Sequence, residues 1–176
     1  MTLHTSDDTE IASLIKVRLE TSDDEADIEA LAAAAFGPGR FSRAAFRLRE
    51  GVASDPKLSF IAKLDDRLAG SVKLTPCLIG GKKALVLGPL VVDPDFRKLG
   101  IGRELMNRSL FEARRQGHSL AVLVGDYAYY GPFGFDRVAP GQITFPGPAD
   151  PLRILACELA PGVLDGYRGQ AERDFG

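Results

Sequence analysis

The sequence predicts one α/β (α+β) domain with a central mixed, mostly antiparallel sheet flanked by helices. Residues 58–92 contain apolar runs separated by short polar turns, a pattern typical of an antiparallel meander. Residues 85–124 then give a strand, a glycine-rich loop, an amphipathic helix and a second strand, an order that makes the two strands parallel. The chain has 176 residues, so we expect a single domain over residues 1–176.

The N-terminal part predicts one strand and two helices. Residues 1–13 form a polar lead-in, and residues 15–20 alternate apolar and polar side chains as a half-buried strand does. Ser22 and Glu25 have the spacing of a capping box for a helix that ends at Gly37. A short helix over residues 42–49 follows, with its phenylalanine inward and its arginines outward. At the other end, residues 161–176 have little apolar content and predict a weakly ordered tail.

The loop before the long helix predicts an anion cradle. The first N–H groups of a helix have no partner inside it, and that end is partially positive. Gly100 and Gly102 remove Cβ atoms that would keep a diphosphate away, while Arg97, Lys98 and Arg103 supply charge. We therefore expect a diphosphate to bind at this helix terminus.

Two familiar nucleotide loops do not match this segment. A P-loop needs lysine and then serine or threonine after its last glycine, but Gly102 is followed by Arg103 and Glu104. The dinucleotide fingerprint needs a small residue where this chain has Leu105.

The strand that leads into the loop contains the pair Gly88–Pro89. Proline cannot donate to a sheet and glycine weakens a strand, so the pair predicts a bulge. If the bulge releases Leu90, Val91 and Val92 from one neighbour, their backbone groups can bind an extended ligand like an extra strand. The alternative is a bulge at a sheet edge with no function.

The pattern Arg97-x-x-Gly100-x-Gly102 between a strand and a helix, with the later segment Tyr130-Gly-Pro-Phe-Gly-Phe, resembles the GNAT superfamily of acetyl-CoA-dependent N-acetyltransferases. Within it, residues 15–140 resemble the YhbS-like bacterial branch. The resemblance implies that the parallel strands splay apart around acetyl-CoA or coenzyme A as cosubstrate, and it implies no metal. The residues expected to bind this cofactor are Leu90, Val91, Val92, Arg97, Lys98, Leu99, Gly100, Ile101, Gly102 and Arg103.

Acyl transfer to an amine requires a proton for the departing thiolate. Tyr130 lies where the family places its tyrosine, so we expect it to be the general acid, with Tyr127 and Tyr129 as alternatives. No general base is evident, because residues 85–90 lack the carboxylate that many family members carry on this strand. Asp126 is the nearest acid, and we expect it to cap the short helix that follows.

The resemblance implies an acetyltransferase whose acceptor is a primary amine of an unidentified small molecule or peptide. The helices after the first strand would wall the acceptor site, so the candidate substrate-binding residues are Phe36, Arg40, Phe41 and Arg43; a solvated basic helix face is the alternative for the arginines. Two other functions stay open: a non-catalytic module that binds or senses coenzyme A or acyl-CoA, and a nucleotide-binding protein that uses the same cradle.

Composition excludes some partners. The net charge is −2 and the pI is about 5.7, which gives the whole protein no reason to bind nucleic acid or an anionic membrane. The sequence has no run of 18 apolar residues and no secretory signal, so we expect a cytoplasmic protein. Either a monomer or a homodimer fits the sequence.

Overall fold

The structure is a computed structural model that describes residues 5–37 and 43–176. Its helices are α1 (Thr5–Ser13), α2 (Glu25–Phe36), α3 (Ala44–Arg49), α4 (Ile101–Arg115) and α5 (Tyr127–Tyr130). Its strands are β1 (Ile15–Leu19), β2 (Phe60–Leu64), β3 (Arg67–Ile79), β4 (Lys82–Val92), β5 (Leu120–Val124), β6 (Asp136–Arg137), β7 (Ile143–Thr144), β8 (Ile154–Glu158) and β9 (Gly169–Arg173). Most of the predicted polar lead-in is therefore helical. Across the two described ranges, no helix has the length and apolar character that crossing a membrane requires.

The strands form a mixed, mostly antiparallel sheet, as predicted. Its order is β1-β2-β3-β4-β5-β8-β6, and β9 adds to the far end of β3. The pair β4–β5 is parallel, and so is the short pair β7–β9; the remaining pairs are antiparallel. The crossover from β4 through α4 to β5 brings the start of α4 to the carboxyl end of β4.

The core has two layers, one on each face of the sheet. On one face α4 packs against β2, β3 and β4. The apolar residues of α4 that repeat with helical spacing are all buried: Ile101, Leu105, Met106, Leu110 and Ala113. On the other face α3 packs through Leu48 among residues of β3, β4 and β5. Each fully buried leucine or isoleucine contributes roughly 2 kcal/mol of transfer free energy, so these layers fix the position of both helices.

Gly70 on β3 allows the first turn of α4 to pack closely. A Cβ atom there would lie 2.8 Å from Cγ2 of Ile101 and 3.0 Å from Cδ1 of Leu105. Gly70→Ala should therefore lower the free energy of unfolding by about 1–3 kcal/mol in urea titrations. Ser71→Ala is the matched control: Ser71 points to the opposite face, and its buried Oγ has no hydrogen-bond partner, so the variant should be as stable as wild type or more so. Unchanged stability of Gly70→Ala would contradict this packing.

The capping box lies one residue earlier than predicted and belongs to a short 3₁₀ turn before α2. The expected capping box of Ser22 and Glu25 is wrong, because a short 3₁₀ turn precedes the α-helix and shifts the cap to Thr21. The backbone N–H of Thr21 donates to Oδ2 of Asp24 at 2.8 Å. Arg18 also donates to both carboxylate oxygens of Asp24, at 2.7 and 2.8 Å, which ties β1 to this turn.

Because of Asp24, the free energy of unfolding of the protein depends on pH at acidic values. The pKa of the Asp24 carboxyl is lowered to about 2, chiefly by the hydrogen bonds from Arg18. Because this pKa is below that of an unfolded aspartate, about 3.9, the stabilisation is present above about pH 4 and is lost as pH falls towards 2. Asp24→Asn should cost about 2 kcal/mol at pH 7 and flatten the decline between pH 4 and 2 in urea unfolding. Asp66→Asn, in an exposed turn, should keep the wild-type pH profile; the same profile for Asp24→Asn would contradict the assignment.

The prediction of a weakly ordered tail over residues 161–176 is wrong. The segment contains β9, which pairs with residues 77–79 of β3 and with β7. Tyr167 and Ala171 are buried, and the Tyr167 hydroxyl donates to the carbonyl oxygen of Lys83 at 2.6 Å. The segment is ordered with few apolar residues because β3 extends beyond β2, and the backbone groups left unpaired on β3 form hydrogen bonds with β9.

Candidate active site

The parallel strands β4 and β5 separate after two residue pairs. Leu85 pairs with Ala121 and Val86 with Val122, and no later residue of β4 pairs with β5. The other edge of β4 stays paired with β3 up to Val92. The edge of β4 that faces β5 is therefore unpaired from residue 87 to residue 92. This agrees with the expectation that the two parallel strands splay apart.

The predicted bulge lies at the point of separation. Val72 pairs with Leu90 and Leu74 pairs with Leu87, so the two residues Gly88 and Pro89 face the single residue Lys73. The Gly88–Pro89 peptide bond is cis. The prediction of a bulge in this strand is confirmed. Leu90 and Val91 lie beyond the bulge on the open part of β4.

The N-terminus of α4 presents unpaired backbone donors. The N–H of Glu104 donates to the carbonyl oxygen of Gly100 at 3.0 Å, so the three N–H groups before it, those of Ile101, Gly102 and Arg103, have no acceptor within the helix. Gly100 caps the helix with a φ of 78°, a left-handed conformation that glycine adopts without strain.

Three cations surround these donors. Arg97, Lys98 and Arg103 are exposed, and none of them forms an ion pair with another residue of the described ranges. Their charges add to the positive end of the helix dipole. The arrangement can bind an anion through backbone and side chains together.

The loop between β4 and α4 is held in place from β3. Arg67 donates to Asp93 at 2.9 Å and to Asp95 at 2.7 Å, and its guanidinium carbon lies 4.8 Å from the centre of the Phe96 ring. The Asp93 carboxylate also accepts from the N–H of Asp95 at 2.9 Å. These contacts fix the path of the chain into the cradle, so the donors of α4 are preorganised.

A cavity of about 1020 Å³ opens in front of the cradle. Eight of the ten predicted cofactor-binding residues line it: Val92, Arg97, Lys98, Leu99, Gly100, Ile101, Gly102 and Arg103. The other wall comes from α1, through Thr9 and Ala12, and from α5 and the turn after it, through Ala128, Tyr129, Pro132 and Phe133. The sequence did not indicate the contribution of α1.

The three tyrosines of α5 point in different directions. Tyr129 lines the cavity, and its hydroxyl lies 2.6 Å from where a Cβ of Gly102 would be. Tyr130 packs inward against Gly125 and Phe135, and its ring contacts that of Tyr129 edge-on at 4.8 Å. Burial raises the pKa of Tyr130 to about 12. Tyr127 lies under the guanidinium of Arg137, 4.7 Å from its carbon, and does not line the cavity.

Asp126 occupies the N-cap position of α5, but its side chain does not cap the helix. Its carbonyl oxygen accepts from the N–H groups of Tyr129 and Tyr130, and its carboxylate pairs with Nε of Arg153 at 3.3 Å. The expected side-chain cap is therefore wrong. The short 3₁₀ turn before β8 brings Arg153 within reach and offers the carboxylate a charged partner instead.

The candidate acceptor-binding residues are only partly described. Phe36 and Arg43 are in contact, with the guanidinium carbon 4.7 Å from the ring centre. Arg40 and Phe41 lie outside the described residues. The sequence placed the phenylalanine of α3 inward and its arginines outward, yet Phe46 is half-buried and Nη1 of Arg49 is fully buried.

The comparisons with known proteins agree with this geometry. Residues 25–135 match the model of the acetyltransferase (GNAT) family. The uncharacterized N-acetyltransferase YhbS of Escherichia coli strain K12 is 28% identical over 159 residues, which cover 89% of this chain and 94% of YhbS.

Two solved structures are similar over most of the chain. The crystal structure of Escherichia coli YhbS in complex with CoA has a TM-score of 0.77 and 27% identity, and the match covers 91% of this chain and 89% of that one. A GNAT family acetyltransferase from Brucella melitensis in complex with acetyl-CoA has a TM-score of 0.67 and 27% identity, covering 91% and 96%. With the family match spanning more than half of its residues, this chain belongs to the acetyltransferase (GNAT) family.

Proposed function

We propose that this chain transfers the acetyl group of acetyl-CoA to a primary amine of a small molecule or peptide. The main observation in support is that the free N–H groups of residues 101–103 lie next to the open edge of β4. One extended ligand can therefore bind to both. The relatives from Escherichia coli and Brucella melitensis, solved with CoA and acetyl-CoA, support the same ligand class.

The residues fit coenzyme A in two parts. The diphosphate would accept hydrogen bonds from Ile101, Gly102 and Arg103, with Arg97 and Lys98 supplying charge. The amide-bearing arm would extend from there along residues 90–92 and end near the bulge. The cavity of about 1020 Å³ at the cradle has room for the nucleotide end.

The chemistry assigned to the chain is direct transfer. The amine nitrogen bonds to the thioester carbon, the carbon–sulfur bond breaks, the sulfur takes one proton and the nitrogen loses one. Preorganised N–H groups beside the bulge would stabilise the charge on the carbonyl oxygen. The products are an amide and a free thiol.

Tyr130 is the proposed proton donor. With a pKa of about 12 it stays protonated at neutral pH. That pKa exceeds the roughly 8.5 of a typical thiol, so full transfer from Tyr130 alone would be uphill. Tyr130 would therefore pass its proton to the sulfur as it receives another from the acetylated nitrogen, and no tyrosinate would accumulate.

A direct assay tests the proposal. Purified protein with acetyl-CoA and a panel of primary amines should release thiol continuously, with one acetylated amine formed per thiol. Coenzyme A should also bind at least about 10-fold more tightly than ADP, because the arm adds contacts that ADP lacks. Tight coenzyme A binding without turnover on any amine would favour the non-catalytic sensor, and equal affinity for ADP would favour a nucleotide-binding protein.

A further inference from the structure

Three buried side-chain atoms of the described residues have no hydrogen-bond partner: Nη1 of Arg49, Oε2 of Glu20 and Oγ of Ser71. Ser71 and Arg49 belong to the face of the sheet opposite α4. Ser71 alternates with Val72, which packs in the α4 layer, and Arg49 belongs to α3 on the far face. Buried polar groups are nearly always paired, so the unpaired Nη1 of Arg49, the only cationic donor of the three, indicates a missing anionic partner.

Arg49 lies at the point where β4 and β5 separate. Its Nη1 is 3.7 Å from the position of a Cβ on Gly88, two residues beyond the last β4–β5 pair at Val86. Its Nε donates to the carbonyl oxygen of Ala45 at 3.1 Å, which holds the side chain along α3. The guanidinium therefore closes the α3 side of the gap, across the sheet from α4.

Within residues 5–37 and 43–176, no acidic side chain balances the charge of Arg49. Lys73, which faces the same bulge, pairs with Glu20 at 3.1 Å. Arg49 has no ion pair with another described residue, and the charged group that most affects it is a second cation, Arg43. Burial and Arg43 lower the pKa of Arg49 to about 10, so it is still charged at neutral pH. An anion beside Arg49 would offset both the cost of burying its charge and the repulsion from Arg43.

We propose that Arg49 binds a carboxylate on the acceptor, so that the substrate is an amine carrying a carboxylate. The inference rests on the proposed function, since it takes the thioester to lie near Gly88, where the cofactor arm would end. A carboxylate matches the guanidinium of Arg49, whose Nη1 is buried and unpaired, in charge and in its forked geometry. Phe36 at the end of α2 and Arg43 at the start of α3, which contact each other, would flank the entrance.

Matched pairs of acceptors test the proposal. The pairs are glycine and glycinamide, β-alanine and β-alaninamide, and phosphoethanolamine and ethanolamine, each assayed for thiol release and for binding to the coenzyme A-loaded protein by calorimetry. For the two amino acid pairs, the carboxylate should have a KM or Kd about 10- to 100-fold lower than its amide, the value of a charge-assisted hydrogen bond. Preference confined to phosphoethanolamine would overturn the carboxylate assignment.

Three variants locate the effect. Arg49→Gln should abolish the carboxylate preference while leaving coenzyme A affinity unchanged, and Arg49→Lys should keep part of it because the charge remains but the fork is lost. Arg115→Gln, which removes an exposed cation paired with Glu112 on α4, should keep the full preference. A retained preference in Arg49→Gln would overturn the proposal.

Thermal stability provides a second readout. Since the unpaired guanidinium is costly in the free protein, Arg49→Gln should raise Tm, whereas loss of a structural arginine would lower it. A lowered Tm would therefore count against the proposal. Acetyl transfer that ignores the acceptor's charge would overturn this inference alone, while absence of coenzyme A binding would overturn the proposed function with it.

Discussion

Tyr130→Phe should lower kcat about 100-fold or more, with little change in the KM for acetyl-CoA. The substitution removes only the hydroxyl, and general acids typically contribute about 10²–10⁴-fold. Its ring should keep its contacts with Gly125 and Phe135, so the fold should persist. Steady-state thiol release at pH 7.5 measures kcat and KM, and unfolding curves recorded in parallel check that the fold persists.

The neighbouring tyrosines are the matched controls. Tyr127→Phe should have wild-type activity because Tyr127 lies under Arg137, away from the cavity. Tyr129→Phe should change kcat less than Tyr130→Phe, since its hydroxyl lies at the cradle beside Gly102. A larger kcat effect at Tyr129 than at Tyr130 would transfer the role of proton donor to Tyr129. Wild-type activity of Tyr130→Phe would remove it from the mechanism.

Gly102→Ala should weaken coenzyme A binding by about 10- to 100-fold, comparable to the loss of one or two charge-assisted hydrogen bonds. The added methyl would occupy the cradle and would lie 2.6 Å from the Tyr129 hydroxyl. The stability of the helix should not fall, because alanine is favoured over glycine in helices by about 1 kcal/mol. Calorimetry with coenzyme A and with ADP, which share the diphosphate, should show losses for both ligands.

A double variant separates the two effects of the methyl group. Tyr129→Phe with Gly102→Ala removes the hydroxyl that the methyl would meet, so any remaining loss of affinity must come from the cradle itself. We expect most of the loss to remain. Recovery of wild-type affinity in the double variant would show that displacement of Tyr129, and not obstruction of the diphosphate, caused the weakening.

The sheet, the long helix and the cradle were predictable because each depends on a local pattern. The apolar positions of α4 repeat with helical spacing, and Gly88–Pro89 marks a bulge through the chemistry of two residues. The tail was not predictable in this way. β9 is ordered by the unpaired far end of β3, and no property of residues 161–176 alone contains that information.

In the candidate site, too, features set by a local pattern were predictable, and features set by distant residues were not. The residues of the cradle are consecutive, so one motif contains most of them. Arg49 was missed because the role proposed for it depends on Gly88, 39 residues later, and on the lack of an ion-pair partner among the described residues. The arginines of α3 were expected to face outward, as charged side chains usually do, so the burial of one of them was not anticipated. Asp126 was misjudged for a related reason, since Arg153 comes from a distant turn.

The proposed function depends most on the path of coenzyme A between β4 and β5. A crystal structure of the protein with coenzyme A measures that path directly. We predict the diphosphate within hydrogen-bond distance of the N–H groups of residues 101–103, the arm along residues 90–92, and the sulfur near Gly88. Coenzyme A bound elsewhere, or β4 and β5 paired beyond Val86 with no room for the arm, would contradict it.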